Sequence, residues 1–85
     1  MPKIDIYTTP VCPYCMRAKA LLTRKGAVFN TIDVSTDDAL YAQMQKRSGG
    51  RQTVPQIFIG DRYIGGCDDL YALESRGELD PLLAS

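Results

Sequence analysis

Cys12-Pro13-Tyr14-Cys15 is the stretch of this chain whose residue types and spacing could make and break a covalent bond. Two residues between cysteines, laid across the first turn of a helix, bring the sulfurs close enough for a disulfide, leaving the first at the exposed end and turning the second toward the protein. One sulfur can attack and the other resolve. The attacking species is the thiolate, and a cysteine at a helix N-terminus sees unpaired N–H donors and the positive end of the helix dipole, both of which favour the anion. Arg17 and Lys19, early in the same helix, add positive potential. The chain contains 0 histidines, so a Cys-His pair is impossible and backbone electrostatics must do the activating.

Other readings of these cysteines are weaker. Buried cysteine often serves only as a small hydrophobe, but a CxxC that follows a strand and opens a helix reads as a redox motif. Structural zinc wants four ligands. This sequence offers one pair, a distant Cys67 and no histidine, so no complete intramolecular metal site is expected.

Two further segments carry chemical potential. In Thr53-Val54-Pro55, proline cannot pair within a central strand, so it sits at a strand start or edge and leaves nearby backbone groups to something else, such as an extended substrate. The residue pattern does not fix whether that X–Pro bond is cis or trans. In Gly65-Gly66-Cys67-Asp68-Asp69, paired glycines permit close backbone approach before a helix whose N–H groups suit a carboxylate and whose aspartates suit an ammonium group. A zwitterionic amino-acid end fits both, although Asp68 and Asp69 are also ordinary helix-start residues.

The elements that must hold these segments alternate along the chain. Ile4–Thr8 alternates apolar and polar residues and reads as a strand ended by Thr9-Pro10. From Pro13 to Lys25, Tyr14, Ala18, Leu21 and Leu22 follow one helical face. Pro13 suits the first turn and Gly26 the position past the last, which sets Cys12 at the helix boundary. Val28–Val34 reads as a second strand. Ser35 to Asp38 supplies capping oxygens and early negative charge for a second helix that carries Leu40 and Met44 inward, ends in Lys46 and Arg47, and stops at Gly49-Gly50. Strand, helix, strand, helix in this order implies a parallel pair with a right-handed crossover. Gln56–Ile59, the turn Gly60-Asp61 and Arg62–Ile64 read as a hairpin. A third helix begins near Cys67, buries Leu70 and Leu73 and ends by Gly77, and residues 80–83 add a last helical turn or a frayed tail.

At 85 residues the chain is expected to form one domain across 1–85, because two would leave neither enough buried surface. With 45% hydrophobic and 24% charged residues it reads as a soluble globular protein. Ten bases balance 10 acids, so nothing draws the whole molecule to nucleic acid or an anionic membrane. The first 36 residues are nonetheless locally positive, with Lys3, Arg17, Lys19, Arg24 and Lys25 against Asp5 and Asp33. No apolar run has the length of a signal peptide or a membrane span, so a cytoplasmic protein is expected. Three cysteines, two of them close, do not suit a secreted disulfide framework.

Taken together the motifs resemble the glutaredoxin family, specifically its small bacterial dithiol members. The resemblance covers nearly the whole chain. It rests on Ile6-Tyr7-Thr8 leading into Cys12-Pro13-Tyr14-Cys15, on Arg17 to Leu22, on Lys46-Arg47-Ser48-Gly49, on Thr53 to Ile59, and on Ile64 to Leu70. It implies an α/β, thioredoxin-like fold, a four-stranded mixed sheet flanked by three or more helices, with Pro55 in the cis form beside the active site. It implies catalysis by Cys12 and Cys15 and glutathione as co-substrate. The implied glutathione-binding set is Tyr14, Thr53, Val54, Pro55, Gly66, Cys67, Asp68 and Asp69, with Asp69 facing the γ-glutamyl amine. A basic side chain from Lys46, Arg47 or Arg51 would approach the glycine carboxylate, Arg47 being carried in that set. Implied partners are disulfide-bonded or glutathionylated proteins, ribonucleotide reductase among the candidates, met by a monomer. Two readings compete with it: a redoxin recharged by thioredoxin reductase, and a module carrying a [2Fe–2S] cluster between two chains, which Pro13 disfavours. The chain departs from many relatives in Thr9-Pro10-Val11, where a lysine is common, and at Met16.

Overall fold

A computed structural model describes residues 2–84, in the order β1 (Ile4–Thr8), α1 (Pro13–Arg24), β2 (Asn30–Asp33), α2 (Asp38–Arg47), β3 (Gln56–Ile59), β4 (Arg62–Gly65), α3 (Cys67–Ser75) and α4 (Leu79–Ala84). The strands form one mixed sheet in the order β2-β1-β3-β4. β1 runs parallel to β2 and antiparallel to β3, and β4 returns antiparallel to β3. Helices cover both faces, so every residue of β1, Asp5 included, is buried.

Strand alternation sorts the core into two. Ile4, Ile6, Ile57 and Ile59 point to one side and pack with Ala18, Leu21 and Leu22 of α1, Leu70 and Leu73 of α3, and Leu79 and Leu83 of α4. Tyr7 and Phe58 point to the other, where Met44 of α2 and Val34 meet them. Lys25 ties the end of α1 to Glu74 and Asp80 at 2.7 and 3.0 Å, and these carboxylates, Glu74 first, push its ammonium pKa up.

Two details differ from the sequence expectation, and a third that it left open is decided. β2 starts at Asn30 rather than Val28, because the ladder with β1 opens at Asp5↔Asn30 and Val28 is exposed. The preceding residues are committed to closing α1, with the Ala27 N–H donating to the Leu22 carbonyl at 3.0 Å across Gly26 at φ +72°. Tyr14 is not part of the apolar face of α1. It is 55% exposed, and the inward positions are Cys15, Ala18, Leu21 and Leu22. The tail forms α4, whose Leu79 and Leu83 are buried, so it is not frayed. Among the described residues no helix is long and apolar enough to cross a membrane.

Candidate functional site

Cys12 follows the C-terminal end of β1 and is the N-cap of α1, with extended backbone at φ -149° and ψ 104°. Pro13 contributes no donor to the first turn, and the Cys15 N–H donates to Cys12 Sγ at 3.2 Å. The Cys12 thiol in turn points at the Val54 carbonyl oxygen, 3.9 Å away. An anionic sulfur here is met by a backbone donor and the N-terminal end of a 12-residue helix. The structure corrects one detail: Cys12 is only 8% exposed, because its side chain folds back over the first turn toward the Cys15 amide and Val54.

Cys15 lies one turn further in and is fully buried. Burial, together with its hydrogen bond to Cys12, pushes its thiol up, against a smaller opposing pull from Thr8 and the Thr9 backbone. Cys67, at the start of α3, is also pushed up, first by burial and then by Asp68 and Cys12, with the positive charge of Arg17 opposing. All three cysteines are free thiols. The site therefore holds one sulfur with an anion-favouring environment and two kept protonated.

Beside these sulfurs runs an open groove of about 180 Å³. Thr53, Val54 and Pro55 form one wall, with the Val54–Pro55 bond cis. These backbone groups lie beyond the last register pair of the sheet, Tyr7 with Gln56, and so are not consumed by the ladder. Gly66, Cys67, Asp68 and Asp69 form the opposite wall, and Tyr14 and Arg51 complete it. Asp69 does more than line the groove, since its Oδ2 accepts the Gly66 N–H at 2.9 Å and so caps α3. Gly65 makes room for that bond. Its φ is +116°, and a Cβ there would stand 2.3 Å from Asp69 Oδ2.

The three candidate cations separate. Arg51 reaches the groove, on a segment tied down by Ser48 Oγ, which accepts the Arg51 N–H at 3.2 Å, and by the Tyr41 hydroxyl, which donates to the Gln52 carbonyl at 2.9 Å. Arg47 does not. Its Nη1 donates to Asp5 Oδ2 at 3.1 Å and to the Tyr7 hydroxyl at 2.8 Å, and its guanidinium lies 4.0 Å above the Phe58 ring on the other face of the sheet. Burial works against its charge, but the Tyr7 and Asp5 hydrogen bonds outweigh it and the pKa is raised. The reason for the difference is direction: Arg47 closes the last turn of α2 against the sheet, four residues before the chain turns back toward the groove. Lys46 is not among the groove residues. The sequence reading also missed Gln56, a groove residue only 2% exposed. The signal was a lone amide opening the otherwise apolar run Gln56-Ile57-Phe58-Ile59. Among the described residues no cluster of three or more His, Cys, Asp or Glu side chains could hold a metal.

A family model described as Glutaredoxin matches residues 4–64. Glutaredoxin 3 of Escherichia coli strain K12 is 58% identical over 83 residues, which span 98% of this chain and 99% of the relative. The solution structure of glutaredoxin from Brucella melitensis superposes with a TM-score of 0.85 at 65% identity, covering 98% of this chain and 89% of that one. The crystal structure of a buckwheat glutaredoxin-glutathione complex gives a TM-score of 0.86 at 34% identity, covering 95% and 76%.

Proposed function

The chain belongs to the glutaredoxin family of thiol-disulfide oxidoreductases, and from that premise we propose that glutathione is its co-substrate and the groove beside Cys12 its glutathione site. The observation that carries this reading is the meeting of three things at one groove: a helix-capping sulfur beside its Val54 wall, backbone left over from the sheet at residues 53–55, and a helix N-terminus flanked by Asp68 and Asp69. An extended γ-glutamyl peptide needs all three. Its cysteine backbone pairs with Val54 as an added strand. Its γ-glutamyl carboxylate meets the amides opening α3, and its ammonium group meets Asp69. Its glycine carboxylate meets Arg51, and Tyr14 lies along it.

The chemistry is sulfur exchange. Cys12 thiolate attacks the glutathionyl sulfur of a glutathionylated protein, the old disulfide breaks, and the protein leaves as a thiolate that takes up a proton. Glutathione stays bonded to Cys12 Sγ. The thiolate of a second glutathione attacks the bound glutathionyl sulfur, releasing oxidised glutathione and restoring Cys12. With a protein disulfide, Cys12 instead captures one substrate sulfur. Cys15 then attacks Cys12 Sγ, the reduced substrate departs, and two glutathiones reduce the resulting Cys12–Cys15 disulfide. Burial favours the protonated Cys15 thiol, so Cys15 must give up its proton as it attacks. The setting we infer is cytoplasmic, with the protein acting as a monomer on disulfide-bonded or glutathionylated proteins, ribonucleotide reductase among the candidates.

Cysteine variants test the assignment. Cys12→Ser should lower both deglutathionylation and protein-disulfide reduction by at least about 100-fold, the scale of losing the nucleophile. Cys15→Ser should keep deglutathionylation and lose the dithiol reaction. Activity persisting in Cys12→Ser would overturn the mechanism.

A further inference from the structure

One buried polar side chain next to the groove has a connection that the exchange chemistry leaves unused. Gln56 opens β3 and is 2% exposed, yet both ends of its amide are engaged. Its Nε2 donates to the Thr53 carbonyl oxygen at 2.9 Å and to Thr53 Oγ1 at 3.3 Å. Its Oε1 accepts the hydroxyl of Tyr63, from the neighbouring strand β4. The Tyr63 ring packs 5.1 Å from that of Phe58, which lies under Arg47.

The amide can bind in only one orientation. The Thr53 carbonyl oxygen can only accept, so Nε2 must face it, and Oε1 is left to accept the Tyr63 hydroxyl. Thr53 immediately precedes Val54, whose carbonyl faces Cys12 Sγ. This wall of the groove lies outside the sheet ladder, so besides the packing of Val54 on the Tyr7-Phe58 core and the Tyr41 bond to the Gln52 carbonyl, it depends on the Gln56 amide for its height above the sulfur.

We propose that Gln56, anchored at its far end by Tyr63, is the positioning residue that holds the Thr53-Val54 backbone at the reach of Cys12 and of an incoming peptide. The brace links the Tyr7-Phe58 core to the groove through the Phe58-Tyr63 ring contact and then the hydrogen bonds of Gln56. It acts through Thr53 and touches no reacting atom. Its effect therefore falls on capture of the peptide and not on the sulfur. The structural part of this inference stands without glutathione, and only its kinetic consequence rests on the function proposed above.

The test uses Gln56→Met, which keeps length and loses the amide, and the milder Tyr63→Phe, which loses only the hydroxyl at the far end. Backbone amide order parameters at residues 53 and 54 of the reduced protein should fall from rigid values toward about 0.6 in Gln56→Met and less far in Tyr63→Phe. In a steady-state assay the KM for glutathionylated peptide should rise about five- to tenfold with kcat nearly unchanged. Ile59→Val, a core change at the far end of β3, serves as a control for simple destabilisation, lowering Tm without moving either readout. Order parameters at residues 53 and 54 that keep their wild-type values in both variants, or that fall equally in Ile59→Val, would overturn the brace. Lowered order parameters in the variants with no glutathione-dependent activity even in the wild type would instead retain the brace and reject the glutathione reading.

Discussion

Two polar regions lie on either side of β1, and they differ in whether their groups are already satisfied. On the α2 face, Asp5, Tyr7, Gln43 and Arg47 close on one another: Arg47 donates to Asp5 and Tyr7, Tyr7 donates to Gln43, and Asn30 donates to the second oxygen of Asp5 at 3.2 Å. At the groove, Arg51 extends from an exposed segment, the backbone of residues 53–55 lies outside the ladder, and the first residues of α3 line the open side. The first region stabilises the chain and the second can bind. Residue type does not distinguish them, since an arginine, a carboxylate and a tyrosine occur in both. What distinguishes them is whether the partners come from within the fold.

The sharpest test of that contrast is Gly65→Ala. A Cβ at a φ of +116° and 2.3 Å from Asp69 Oδ2 must displace the carboxylate that caps α3, so it damages a wall of the groove and leaves the α2 face untouched. A loss of about 3 kcal/mol is expected from backbone strain plus the lost cap, read by urea unfolding, together with a raised KM for glutathione. Next comes Arg47→Ala. It leaves Asp5 buried without its cation and uncovers Phe58, at a cost of about 2 kcal/mol, and Tm should fall by roughly 8–16 °C for a chain of this size. KM for glutathione should stay within about twofold. Arg51→Ala should invert the pattern: Tm unchanged within error and KM raised about fivefold, the value of one exposed charge-assisted contact. If Arg47→Ala raised KM and spared Tm, the assignment of the two regions would be reversed.

The smallest effect expected is a pH dependence. Cys15 and Cys67 are raised above the ordinary thiol value of 9.0, so the folded protein holds their protons more tightly than the unfolded chain does. Their contribution to stability is therefore intact at neutral pH and declines as the pH climbs past 9 toward the raised values. Reduced protein should lose Tm over that range, and Cys15→Ala should flatten the loss. Alkylation by iodoacetamide should label Cys12 first at neutral pH, with Cys15 and Cys67 lagging behind a free cysteine. Equal labelling of all three would dissolve the distinction between the capping sulfur and the buried ones.

Much of this was legible in the chain. Pro13 and Gly26 bracket α1, and Cys12 lands at its N-cap because a helix that must start at a proline leaves the preceding residue to cap it. Asp37 caps α2, accepting from the Ala39 and Leu40 N–H groups as its place before an acidic first turn suggests. The misreadings were directional. Tyr14 fits the apolar spacing of α1 but turns out to the groove, and Val28 fits a strand but precedes the first residue that β1 can pair with.

The sequence by itself determined the local chemistry: which sulfur caps a helix, which lies a turn deeper, where each helix begins and ends, and the need for proline before β3. These are set by neighbours within a few residues, through capping, dipole and steric restrictions that operate before any distant contact forms. Only the tertiary structure decided which cation serves the groove, why Asp69 needs Gly65 beside it, and that Gln56 links Tyr63 to Thr53. Those outcomes depend on which strand lies next to which, and a one-residue difference in register or helix end sends a side chain to the opposite face of the sheet.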